Sequence, residues 1–207
     1  MYQPLPLDWR QPPSDWASLS ALLEHLHPQV MMNPHAEPQV ADFQRGNANP
    51  ASVAVILVAN PEPHVIFTKR AAGIPFAGQW CFPGGKASPR DADATATALR
   101  ETEEEIGLKA SALRHLASLG IYYTHSGFRM SPELFLLEGV TGWQTSSEVS
   151  EVALIPLVEL ANPDRYELVW RAKDRGNYRF EYAGRMISGP TISICIQLLH
   201  RLSAQAG

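Results

Sequence analysis

The segment from Asp91 to Gly107 constrains this chain more than any other. Its apolar spacing reads as a helix from about Asp91 to Ile106, ended by Gly107 as a C′ residue. Four of its residues, Glu101, Glu103, Glu104 and Glu105, are glutamates crowded near the helix C-terminus. Like charges at i,i+4 repel, and carboxylates oppose the negative end of the helix dipole. Arg100 and Lys109 offset only part of that. The arrangement is tolerable on a solvated face, or where a divalent cation supplies the missing charge. Glu101 and Glu105 project from one face a turn apart, and Glu104 adjoins them. Three converging carboxylates suit hard, oxygen-preferring ions such as Mg²⁺ or Mn²⁺. Leu99, Thr102 and Ile106, continued by Thr95, form a core stripe that would hold this platform from behind. The Gly84-Gly85 turn just before lets backbone carbonyls and amides approach the same patch.

Around this helix the chain reads as one mixed α/β (α+β) unit, in which strands do not alternate regularly with helices. Ala51 to Ala59 and Val65 to Thr68 predict an antiparallel hairpin across Asn60-Pro61-Glu62-Pro63. Trp80-Cys81-Phe82 leads into the turn Pro83-Gly84-Gly85. Further strands are expected at Leu116 to Tyr123, Glu133 to Leu137, Val152 to Ile155 and Tyr178 to Tyr182. A helical turn is expected at Leu157 to Leu160, and a closing amphipathic helix over Thr191 to Leu202.

Residues 1–50 read as an N-terminal helix and an irregular arm packing on the domain formed by residues 51–207. Leu19, Leu22, Leu23 and Leu26 have helical spacing after Ser14-Asp15, a candidate cap. Pro28, Pro34, Pro38 and Pro50 break up the remainder. His25, His27 and His35, without acidic or Cys companions at ligand spacing, are expected at the surface. Cys81 and Cys195 are expected as separate buried thiols.

Seventeen basic against 21 acidic residues give a net charge of −4. That balance argues against a nucleic-acid or anionic-membrane binder. No apolar run approaches the roughly 20 residues of a spanning helix, and the N-terminus lacks the features of a signal peptide. A cytoplasmic protein is expected.

The segment from Gly85 to Leu108 resembles the Nudix box, Gly-x5-Glu-x7-Arg-Glu-U-x-Glu-Glu-x-Gly-U, with U aliphatic. Gly85, Arg100, Glu101, Glu104, Glu105, Gly107 and Leu108 match. Asp91 replaces the first Glu, with eight residues rather than seven before Arg100, and Thr102 stands at an aliphatic position. Thr68-Lys69-Arg70 and Ala77-Gly78-Gln79-Trp80-Cys81-Phe82-Pro83-Gly84-Gly85 are similar to the upstream signature of Nudix coenzyme A diphosphatases. The loop Ala71 to Phe76 is one residue short of that signature and lacks its second Arg. The resemblance covers roughly residues 51–202.

The resemblance implies a Nudix-type α/β/α sandwich with a mixed β-sheet. It also implies Mg²⁺ or Mn²⁺ held by Glu101, Glu104, Glu105 and the Gly85 carbonyl, and a small-molecule nucleotide diphosphate substrate. Coenzyme A would give 3′,5′-ADP and 4′-phosphopantetheine. Candidates for the base are Glu104, Glu148 and Glu151, with Glu148 ranked first outside the helix. Arg100 is implied as a structural partner for a carboxylate. Arg70 is a candidate phosphate contact; Phe128 and Tyr123 are candidates to stack on adenine. Residues 1–50 are left as a cover for the cleft or a homodimer surface. Two readings stay open besides coenzyme A: hydrolysis of ADP-ribose, NADH or a dinucleoside polyphosphate, and nucleotide binding without turnover.

Overall fold

Residues 2–137 and 142–205 are described by a computed structural model. Helix α1 (Trp16–Leu23) starts after Asp15, whose carboxylate accepts the Ser18 N–H. Strand β1 (Gln29–Val30) and helix α2 (Asp42–Gly46) follow, so the proline-rich stretch is more ordered than an irregular arm. Strand β2 (Asn49–Asn60) then begins at Asn49.

After it come β3 (Glu62–Arg70), β4 (Trp80–Cys81), β5 (Gly84–Lys86) and helix α3 (Ala94–Ile106). Strands β6 (Leu113–Ser118) and β7 (Gly120–Tyr123) replace the single strand expected over Leu116 to Tyr123. They part at Leu119, whose N–H bonds the Pro132 carbonyl. Next are β8 (Phe128–Leu137), β9 (Val149–Pro156) and α4 (Leu157–Leu160). The chain closes with β10 (Tyr166–Ala172), β11 (Arg175–Tyr182), β12 (Arg185–Ser188) and α5 (Gly189–Gln205).

Strands β1 to β9 form one mixed sheet, in which β1-β7-β8-β2-β3-β4 run in order. The expected hairpin is present, with Leu57 opposite Val65. β2 also pairs in parallel with β8, from Asn49 opposite Phe128 to Val58 opposite Leu137. Successive strand residues point to opposite faces, and both faces of β2 are apolar. Ala54, Ile56 and Val58 meet Ile66, Phe135 and Leu137, and are covered by Ala98 and Ile106 of α3. Val53, Val55 and Leu57 meet Phe67 and Leu134 on the other face, under Ile192, Cys195 and Leu199 of α5 and Leu19 and Leu23 of α1. Each Val, Leu, Ile or Phe among them contributes roughly 1.5–3 kcal/mol by leaving water. The result is an α/β/α sandwich.

β10, β11 and β12 form a separate antiparallel sheet that sends Tyr178, Phe180 and Ile187 into the second core. The first residues of the chain pack there too: buried Trp9 donates its indole N–H to the Ala161 carbonyl at 2.8 Å. His25 and His27 are exposed, but His35 is not the surface histidine expected. Its Nδ1 accepts the Tyr178 N–H at 3.0 Å, which puts the ring proton on Nε2, 2.8 Å from Ser193 Oγ. Ser193 Oγ in turn accepts from the Tyr122 hydroxyl and donates to the Gly189 carbonyl. Cys195 is buried, Cys81 is half-buried and both are free. No described helix is long and apolar enough to cross a membrane.

Candidate active site

The Gly84-Gly85 turn is held by pairing of β5 with β2, which places Gly85 opposite Ser52 on the α3 face of the sheet. A side chain at Gly85 would have its Cβ 2.5 Å from the Glu101 carboxyl carbon. Only glycine lets that carboxylate lie against the backbone here. At the far end of α3, Gly107 closes the helix in the left-handed conformation (φ 72°) and donates its N–H to the Glu103 carbonyl.

The helix starts at Ala94, three residues later than its apolar spacing suggests. Asp93 is the cap, accepting the Ala96 N–H at 2.7 Å. Asp91 therefore lies in the loop, where it grips Arg100 bidentately at 2.9 and 3.0 Å. It also accepts from the Ser88 N–H and the Thr97 hydroxyl. The Arg100 guanidinium holds the Asp91 carboxyl well below the usual carboxylate range, and Asp91 raises Arg100 in return. Arg100 uses its remaining N–H groups on Glu101 (2.8 Å), Glu104 (3.1 Å) and the Lys86 carbonyl (3.0 Å). One side chain thus ties the loop after β5 to the acidic turn of α3.

The three box glutamates are not equivalent. Glu104 is well exposed, Glu101 is half-buried and Glu105 is only 5% exposed. The buried stripe of α3 is Thr97, Ala98, Thr102, Glu105 and Ile106, so Glu105 shares the core side, whereas Leu99 and Thr95 are half-buried. Glu105 accepts the Gly84 N–H at 3.3 Å. Burial, with Glu101 and Glu148 nearby, pushes its carboxyl up to about 7, against the opposing pull of Gly84 and Arg70. Glu101 is raised for the same first reason, burial, with Glu104 and Glu148 adding to it.

The expected convergence of three carboxylates is therefore looser than helical spacing suggests. Glu101 and Glu104 share the Arg100 guanidinium while Glu105 turns to Gly84. Among the described residues no three Asp, Glu, His or Cys side chains are gathered tightly enough to hold an ion as they stand. The donor set still fits a hard divalent cation. A half-buried and a buried carboxylate, both disfavoured by their surroundings as anions, face a glycine cradle that admits no side chain.

Of the other residues singled out by sequence, Arg70 and Glu148 lie beside this patch, whereas Phe128, opposite Asn49, is in phase with the strand residues of the other face of the sheet. Arg70 ends β3; its charge reaches Glu105, and its Nε bonds the Pro75 carbonyl at 2.8 Å. Glu148 is exposed beside it, its carbonyl accepting the Ala71 N–H. Glu151 is held by Lys69 at 2.5 Å, which leaves Glu148 the less encumbered carboxylate. Phe128 lies at the start of β8 under the Lys86 ammonium, 5.9 Å from its ring centre. Tyr123 instead faces Arg45 of α2 at 5.4 Å. Two contacts have no local sequence signal: Lys86 reaches Phe128, 42 residues on, and Asp91 takes Ser88 and Thr97 besides Arg100.

A mixed sheet carrying a glycine turn, an Asp–Arg clamp and an acidic helix defines a Nudix site. The NUDIX domain family profile matches residues 48–173, and the chain belongs to the Nudix hydrolase family, whose members act on diphosphate linkages. Family members generally use divalent ions such as Mg²⁺ or Mn²⁺. Among curated relatives, the "Uncharacterized Nudix hydrolase NudL" of Yersinia enterocolitica is 34% identical over 174 residues, covering 81% of this chain and 88% of that protein. Its Yersinia pestis namesake is 33% identical over 158 residues, covering 74% and 79%. Among solved structures, the Nudix hydrolase RenU of M. smegmatis superposes with a TM-score of 0.52 at 14% identity, over 77% of this chain and 88% of that one. That last likeness bears on the fold.

Proposed function

We propose that this protein hydrolyses the diphosphate linkage of coenzyme A or an acyl-coenzyme A, giving 3′,5′-ADP and (acyl-)4′-phosphopantetheine. The observation that carries the reaction type is the Gly85–Glu101–Glu105 arrangement, in which a half-buried and a buried carboxylate are packed onto a glycine backbone beside Arg70. The substrate rests on the coenzyme A diphosphatase resemblance of residues 68–91.

Glu101, Glu104, Glu105 and the Gly85 carbonyl would hold Mg²⁺ or Mn²⁺. When bound, the ions would screen the diphosphate and favour ionisation of water near neutral pH. Arg70, at the lip of the site, meets a phosphate oxygen. Glu148, exposed and electrostatically coupled to both Glu101 and Glu105, takes the proton of the attacking water; Glu104 is the alternative base. Arg100 acts through others: anchored by Asp91, it keeps Glu101 and Glu104 in register with the Gly85 turn.

The test is a screen of diphosphate compounds with Mg²⁺ and Mn²⁺, with products identified and Glu104→Gln as control. Release of 3′,5′-ADP from coenzyme A is expected, together with a fall of about 100-fold or more in kcat for the variant, the usual contribution of such a group. Turnover of ADP-ribose or a dinucleoside polyphosphate with none of coenzyme A would overturn the substrate. Full activity of Glu104→Gln would remove that carboxylate from the mechanism.

A further inference from the structure

Helix α3 covers only part of its face of the sheet. Ala98 and Ile106 lie over β2 from Ala54 onward, but Pro50, near the start of that strand, is exposed. Register shows which residues stand at the open end. Ser52 is opposite Gly85 on β5 and opposite Ser131 on β8; two residues earlier, Pro50 is opposite the exposed Arg129. Arg129 is in turn opposite the half-buried Tyr123 of β7. Residues directly paired, or two apart on one strand, share a face. Arg129 therefore stands on the same face as Gly85 and the Glu101 carboxylate packed on it. Two strand spacings across and two residues along put its Cα about 12 Å from that of Gly85.

The Arg129 guanidinium is uncommitted. Among the described residues nothing engages it by hydrogen bond, ion pair or ring contact. Its neighbours are in use: Arg100 on Asp91, Glu101 and Glu104, Arg70 on the Pro75 carbonyl, and Arg45 on the Val40 carbonyl and over the Tyr123 ring. Glu133, four residues along β8 on the same face, does not take it either. That carboxylate is 2% exposed and bonds His115 at 2.8 Å, Ser118 at 3.1 Å and Thr95 at 3.4 Å. β8 lies between β2 and β7, so this is not a cation guarding a sheet edge against pairing. Arginine keeps its charge at any working pH, and its planar fork matches a phosphate.

Gly85 thus has an arginine on either side, Arg70 toward β3 and Arg129 toward β8. Divalent ions and Arg70 would meet the charge of a diphosphate at Gly85. At about 12 Å, Arg129 suits a further anion, one sugar removed from that diphosphate. Coenzyme A carries one, the 3′-phosphate on its ribose, whereas ADP-ribose, NADH and dinucleoside polyphosphates do not. We infer that Arg129 determines specificity by taking this 3′-phosphate, so that coenzyme A is preferred over its 3′-dephospho form. This deepens the coenzyme A reading above and rests on it. The contact lies away from the reacting phosphorus, so it is made equally in ground and transition states and appears in KM rather than kcat.

The experiment compares coenzyme A, 3′-dephospho-coenzyme A and ADP-ribose as substrates of the wild type, Arg129→Gln and Arg129→Lys, with thermal unfolding of each. The wild type is expected to favour coenzyme A over the dephospho form. In Arg129→Gln that ratio of kcat/KM is expected to fall by about tenfold or more, as loss of a hydrogen-bonded charge pair would. The loss is expected in KM, and Arg129→Lys, which keeps the charge without the fork, is expected to lie between. A wild type indifferent to the 3′-phosphate, a ratio unmoved in Arg129→Gln, or an equal loss on both coenzyme A compounds overturns the assignment of Arg129 while leaving the coenzyme A reading intact. Hydrolysis of ADP-ribose but of neither coenzyme A compound by the wild type overturns both.

Discussion

Replacing His35 by leucine tests how the N-terminal residues are secured to the rest of the molecule. The ring volume is largely conserved, so the effect is carried by polar groups and not by a cavity. The Tyr178 N–H loses its acceptor in a buried place, a loss of about 1–3 kcal/mol, and Ser193 loses one of three partners, for about 0.5–1.5 kcal/mol. Together they come to about 3 kcal/mol. At about 2–4 °C per kcal/mol for a chain of this length, Tm falls by about 10 °C. Thermal and urea unfolding would measure this, with His35→Asn as the informative control: its amide oxygen occupies the Nδ1 position and restores the acceptor for Tyr178. A His35→Leu protein within about 0.5 kcal/mol of the wild type, the range of ordinary surface substitutions, would refute the reasoning. So would an asparagine variant no better than leucine.

The same network gives stability a pH dependence of definite sign. Burial, reinforced by His125 and Arg171 and opposed by Glu37, holds the His35 imidazole below its usual range. The unfolded chain therefore takes up this proton first. The contribution is fully present above about pH 6.5 and is lost as pH falls from there toward the folded value. Urea unfolding between pH 7.5 and 5 would show the slope, which His35→Asn is expected to flatten. Gly85→Ala places a Cβ where the Glu101 carboxylate lies, so that side chain must move. The protein is expected to fold but to lose about 100-fold in kcat, the scale of an ångström-sized misplacement; steady-state kinetics beside circular dichroism checks both halves. Cys195, buried and with its thiol pushed far up by burial, is expected to resist alkylation until the protein unfolds, so its labelling rate should track the unfolding rate.

The sandwich was legible where local pattern and tertiary position agree. The apolar runs of β2 and β3 are buried on both faces and need no partner to be recognised. α3 announces its end through Gly107, and α5 its face through Ile192, Ile196 and Leu199. Its start was less legible, because Asp91 and Asp93 are both competent caps and only the position of Arg100 separates their tasks. β10 and β12 escaped notice because they are half-exposed and mix charged with apolar residues, as in Tyr166-Glu167-Leu168-Val169-Trp170-Arg171. His35 could not be read locally, since its partners lie 143 and 158 residues away. Within the site, helical spacing placed Glu101, Glu104 and Glu105 side by side. It could not show that Arg100 would draw two of them together while Glu105 turned inward to Gly84.

The central claim is that the carboxylates at the end of α3 exist to take a divalent cation onto the Gly85 turn. Manganese binding, followed by the electron paramagnetic resonance signal of free Mn²⁺ during titration, measures this without reference to any substrate. The wild type is expected to bind Mn²⁺, and Glu101→Gln and Glu105→Gln each to weaken it by about tenfold or more, as loss of a charged ligand would. Equal Mn²⁺ affinity in the wild type and both variants would contradict the assignment of the acidic turn.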